Sequence, residues 1–145
     1  MAAIPQVRKT GPRTYIPAEL ITGGQVVEAR AASRVGVAAA ASLKVLGVAV
    51  TDGINPEAFV STPVVVNGLP VVDATQLPGH VVLADSGIEV PVKYAAAAAF
   101  GDRLIAGALG TVTPAGANPD ARTIVGVCSE PAGVAINATG LVRTI

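Results

Sequence analysis

The stretch Gly101-Asp102-Arg103-Leu104-Ile105-Ala106-Gly107-Ala108-Leu109-Gly110-Thr111-Val112-Thr113-Pro114-Ala115, resumed at Arg122-Thr123-Ile124-Val125-Gly126-Val127-Cys128 and closing at Gly133, decides the fold because the chain carries it twice. The earlier copy spans residues 24–53. Superimposed, the copies put Gly24 on Gly101, Val35 on Val112 and Ala38 on Ala115. After two extra residues in the later copy, Val45-Leu46-Gly47-Val48-Ala49 falls on Ile124-Val125-Gly126-Val127-Cys128. The match is one of residue type rather than identity. Each copy reads as a glycine-opened strand, a tight turn, a second strand, a small-residue loop and a β-branched strand with glycine at its centre. A glycine in mid-strand has no side chain to pack, so Gly47 and Gly126 predict a bulge or a very close approach of another strand.

Outward from the repeat, Asn67-Gly68 between two valine-rich runs predicts a type I′ hairpin over Val64 to Val72, and Pro70 confines its strand to an edge. Val81 to Ala84, a turn at Asp85-Ser86-Gly87, and Ile88 to Val92 read as a second hairpin. Gly133 to Ile136, a turn at Asn137 to Gly140, and Leu141 to Ile145 read as a last one. The run Tyr94-Ala95-Ala96-Ala97-Ala98-Ala99-Phe100 has high helix propensity but is short, so it allows at most two turns. Many short strands with regular turn signals predict an all-β fold, a compact β-barrel or β-sandwich-like body built from two similar β units, with at most one or two short helices.

At 145 residues the length suits one domain. Residues 1–17 contain Pro5, Pro12 and Pro17 and read as an extended N-terminal arm, with residues 18–145 as a single β-rich domain holding the repeat of 24–53 and 101–133. The residues are 51% hydrophobic but only 3% aromatic, so core side chains are mostly alanine and valine and each buries little area. Extra stabilisation from subunit contacts is expected. Ten basic residues balance ten acidic ones, which argues against a nucleic-acid partner needing a broad phosphate-neutralising surface. Arg8, Lys9 and Arg13 nevertheless precede the first acid, Glu19. With Ile4, Val7 and Tyr15 as apolar anchors, they make the arm a candidate docking strap for an acidic surface.

Catalytic chemistry finds little support in the sequence. Cys128 and the single histidine, His80, are a conceivable thiol and base, yet Cys128 occupies the slot of Ala49 and reads as a small buried residue. The aspartates fall in turns, and no calcium-loop, phosphate-loop or dinucleotide pattern is present. No enzyme activity, cofactor or metal is expected. One cysteine allows no internal disulfide. The amino-terminal residues lack a long apolar core, so the chain reads as made and used without membrane insertion.

Four segments, Thr22-Gly23-Gly24-Gln25-Val26-Val27-Glu28, Leu43-Lys44-Val45-Leu46-Gly47-Val48-Ala49, Phe100-Gly101-Asp102-Arg103-Leu104 and Arg122-Thr123-Ile124-Val125-Gly126-Val127, resemble the small capsid decoration (head-stabilisation, or cement) proteins of tailed bacteriophages. A glycine-led strand, a small-residue loop and a KVxGVA-like strand recur in that family. The resemblance implies a homotrimer on the outer surface of an icosahedral head, synthesised in the host cytoplasm, with the major capsid protein as partner. The length of the segment Ile54 to Val92 departs from simple members. The alternative is a β-rich fibre or adhesin module of a virion or cell surface.

Overall fold

The computed structural model describes residues 11–59, 64–71 and 77–145. It is all-β, with three-residue 3-10 turns at Pro56–Ala58, Ala108–Gly110 and Ala121–Thr123 as its helical features among the described residues. The strands are β1 (Arg13–Pro17), β2 (Val26–Ala29), β3 (Arg34–Val37), β4 (Val45–Ala49), β5 (Val64–Val66), β6 (Leu69–Val71), β7 (Val81–Ala84), β8 (Glu89–Lys93), β9 (Arg103–Ala106), β10 (Val112–Pro114), β11 (Ile124–Cys128) and β12 (Thr139–Thr144). Five of them close into a barrel in the order β1-β3-β2-β4-β7. Five more form a sheet in the order β10-β9-β11-β12-β8, and a parallel bridge from Tyr94 to Val112 brings its two ends together.

These two sheets are one architecture built twice. Gly47 pairs with Val27 beside a register shift in the β2/β4 ladder, and Gly126 pairs with Leu104 beside the same shift in the β9/β11 ladder. The turns agree bond for bond. Thr22 N donates to Gln25 Oε1 at 2.8 Å, as Ala99 N does to Asp102 Oδ2 at 2.8 Å. Gly24 N donates to Ala49 O at 2.7 Å, and Gly101 N donates to Cys128 O at 2.9 Å.

The equivalence runs past the limits of 24–53 and 101–133. Arg13 pairs with Leu83 in the first barrel where Val90 pairs with Val142 in the second, so β1 matches β8 and β7 matches β12. Pro17 sits beside Val35 in parallel, as Tyr94 sits beside Val112. What separates the halves is an insertion. Ile54 to His80 in the first corresponds to the short link Ala135 to Ala138 ahead of β12 in the second.

Several expectations are corrected by this topology. An arm extending to Pro17 is one: Arg13, Thr14 and Tyr15 pair antiparallel with β7, and Ile16 and Pro17 pair parallel with β3. Without them the first barrel does not close; Tyr15 packs on its core while Arg13, Thr14 and Ile16 stay exposed. The second hairpin is also absent as such. β7 pairs with β1 and β4, while β8 pairs with β12, because the chain leaves one barrel and enters the next at Gly87, whose N–H donates to Thr144 O at 2.8 Å. Nor does Gly133 to Ile136 pair with β12. Val134 instead bridges Ala98. The alanine run forms no helix, since Tyr94 and Ala98 are each held in a β bridge that outweighs local propensity.

The Asn67-Gly68 turn forms with positive φ at both residues (50° and 79°), joining β5 and β6 as a separate two-stranded sheet. Inside the first barrel lie Ile21, Val27, Val35, Ala49, Val81 and Leu83, with Tyr15 packed against them. The larger core fills the second barrel and continues across the junction to Val26, Ala38, Val48 and Ala84, which lie on the outer face of the first. The barrels therefore share apolar surface.

Glu28 is the buried acid on β2. Burial pushes its carboxyl up, but hydrogen bonds with Ser42 and the Ala39 N–H, together with Arg30 and Lys44, outweigh this and hold it below its ordinary value. Ala39 N donates to Oε2 at 3.2 Å and Arg30 Nη2 lies 3.2 Å from Oε1. A depressed folded-state pKa contributes stability above the unfolded value of 4.5, and this is lost as pH falls through the lower folded value. Glu28→Gln is expected to be less stable near neutral pH by about 1–3 kcal/mol. Urea titrations at stepped pH should show the deficit narrowing on acidification below that range.

Candidate binding surfaces

Of the strap residues expected from sequence, Ile4, Val7, Arg8 and Lys9 lie outside the described residues. Arg13 and Tyr15 are placed in β1, and they serve the barrel. The guanidinium of Arg13 meets Asp85 at 3.0 Å, so this cation has a compensating acid after all. Tyr15 turns toward the interior of the first barrel.

Cys128 and His80 are not presented as a pair. Cys128 is buried in the second barrel's core beside Tyr94, while His80 is exposed at the start of β7. Tyr94 is itself fully buried and its hydroxyl donates to Leu141 O at 3.0 Å. Burial, reinforced by Cys128, pushes its phenol far above the ordinary value. It is a neutral core residue. Among the described residues no group of three His, Cys, Asp or Glu side chains is arranged to hold a metal.

A mainly apolar, open cleft of about 660 Å³ lies between the barrels, lined by Thr22 to Gln25 and Val50 of the first and by Pro91, Lys93 and Leu109 of the second. Its rim is tied by Gln25 Nε2 donating to Leu109 O at 3.2 Å. Lys93 is the charged group in this lining, so the cleft offers shape and apolar contact rather than acid-base chemistry.

Among the described residues, the insertion carries a run of exposed apolar side chains. Val65, Val66 and Leu69 of the β5/β6 hairpin are 64%, 51% and 69% exposed, and Phe59 and Leu77 on its flanks are also exposed. The sequence signal for this surface was the uncharged run between Glu57 and Asp73. Read only as a hairpin, it did not announce its exposure. Phe100, Leu109 and Ile136, on loops and turns of the second barrel, are exposed as well, Leu109 at 81%.

Comparison with solved structures then places this architecture. The N base of the head fibre protein gp8.5 of bacteriophage phi29 matches with a TM-score of 0.56 over 94% of this chain and 95% of that one, at 16% identity. The two chains share a fold. No known protein-family profile matches the chain, and no curated protein does.

Proposed function

We propose that this chain is a structural protein of a bacteriophage virion, bound as a homotrimer to the major capsid protein on the outer surface of the head, which it cements. The observation that carries this reading is the end-to-end likeness to the base of a phage head fibre, with 94% and 95% of the two chains covered. The surface chemistry supports it. Exposed apolar groups on the insertion and on turns of the second barrel, with a body made of two β barrels, suit an adaptor between protein surfaces better than a reaction centre. Three copies give the small alanine and valine cores an added source of buried area.

A second reading has specific support, since the matching chain is the base of a fibre: the protein anchors an outward-reaching fibre or adhesin. Heads stripped of the protein distinguish the two readings. Loss of resistance to heat or osmotic shock marks cementing, whereas intact heads with impaired adsorption to the host mark a fibre base. Light scattering of the purified chain should give three times the monomer mass of 14.3 kDa. A monomer both free and on heads contradicts the trimer.

The docking strap is retained as part of this proposal over residues 1–10, with Ile4, Val7, Arg8 and Lys9 as its contacts. Removing residues 2–10 spares β1 and is expected to leave folding and oligomeric state unchanged. Head binding should weaken about tenfold, and its salt dependence should become shallower as two cations are removed. Sedimentation with heads across a salt series reads both, and undiminished binding at every salt concentration refutes the strap.

A further inference from the structure

Because the fold occurs twice in one chain, each surface of one barrel has a counterpart on the other, and differences between counterparts show what each surface is for. On the first barrel, Val26, Val48 and Ala84 form a lateral row across β2, β4 and β7. All three are buried in the core that belongs to the second barrel. The second barrel meets this row with the end of β9, the turn that follows it, and β11. Ala41 N donates to Ala106 O at 2.8 Å, and a Cβ on Gly110 would lie 3.1 Å from Val26 O and 3.0 Å from Val37 Cγ1. Val90 and Ala106 belong to the same buried cluster.

The corresponding row on the second barrel is Arg103, Val127 and Arg143, paired across β9, β11 and β12 in the same register. Valine and alanine have become arginine at both flanking positions, and both arginines are exposed. Among the described residues neither is in an ion pair; the ion-paired arginines are Arg13, Arg30, Arg34 and Arg122. Across the ladder from Arg143 stands Glu89, so the face carries mixed charge rather than a cationic field. The first barrel's counterpart of the residues that dock at the junction is altered as well. The position of Val90 is taken there by Arg13.

We propose that Arg103 and Arg143 make the outer face of the second barrel an end cap that refuses a second copy of this chain. Without them a third barrel, supplied by a neighbouring copy, would find the same apolar row that the second barrel finds on the first. Burying two arginines in such a junction removes their hydration without supplying partners. A neighbour docking in the junction's own arrangement would also bring the polar Arg13–Asp85 pair where the junction has the apolar Val90. Polar outer faces on terminal units are what keep stacked repeats from propagating, because a head-to-tail contact that does not close grows into a filament. This holds whatever the chain binds on a head.

Giving the second barrel the first barrel's residues, with Arg103→Val and Arg143→Ala together, tests this directly. Light scattering over a concentration series should show the variant's mass rising to at least twice that of the parent measured alongside it. The double variant Arg103→Lys/Arg143→Lys should match the parent, with circular dichroism confirming folded chains in both. If the valine-alanine variant does not fold, Arg103→Val alone carries the same test. A folded variant with the parent's mass at every concentration, or equal association of the lysine variant, overturns the proposal.

Discussion

Replacing Gly126 with alanine is expected to destabilise the chain by about 3 kcal/mol, and replacing Gly47 to do nearly the same. At Gly126 a Cβ would run into the carbonyl oxygen of Arg143 on β12, with Val142 Cγ1 at 2.9 Å and the Arg143 carbonyl carbon at 3.0 Å. At Gly47 the obstacle is the Ala84 carbonyl oxygen on β7, with its carbon at 3.1 Å. Both obstacles are backbone atoms of a paired strand, so relief requires moving a ladder rather than rotating a side chain. Both glycines also stand beside the register shift of their barrel. Gly116→Ala is the control, since nothing lies within 4 Å of its added Cβ, and should change stability by no more than about 0.5 kcal/mol. Urea unfolding of the three variants measures all of this. Equal midpoints for Gly116→Ala and Gly126→Ala contradict the close approach.

Tyr94→Ala is expected to cost about 3–5 kcal/mol, the range for deleting a buried aromatic side chain. Among the described residues Tyr94 is the largest fully buried side chain, in a chain with only two tyrosines and two phenylalanines. It also sits at the parallel bridge to Val112 that closes the second barrel. Tyr94→Phe separates packing from the hydroxyl. The Leu141 carbonyl that receives the phenol also accepts from Ser129 N at 3.1 Å, so it keeps a partner, and the loss should be near 1 kcal/mol. Thermal or urea unfolding with comparable losses for the two variants would place the stabilisation in the hydrogen bond instead of in the buried ring.

The features legible in the sequence were those whose physics is local or doubled. Asn67-Gly68 specifies its turn through the positive φ that both residues tolerate, and the strand glycines at 47 and 126 could be compared with each other. Illegible features depended on distant partners. Arg13-Thr14-Tyr15 and Val90-Pro91-Val92 share no residue, yet they hold the same place in the two barrels. What makes them equivalent is a ladder partner many residues away, and nothing in either triplet encodes that partner. The insertion from Ile54 to His80 hid the match between β7 and β12 in the same way. The Val81 and Ile88 strands were placed correctly but paired wrongly because Asp85-Ser86-Gly87 serves a hairpin and a barrel-to-barrel crossing equally well. Surface roles were the least legible. Arg103 and Arg143 differ from ordinary solvated arginines only by comparison with Val26 and Ala84, and that comparison requires the register of both barrels.

The copy number of this chain relative to the major capsid protein in purified virions tests the proposed role most directly. A cementing trimer predicts a fixed stoichiometry in multiples of three, repeated over the whole head, at quantitative mass spectrometry or gel densitometry. Absence from virions, or a few copies confined to one vertex or to the tail, would contradict it.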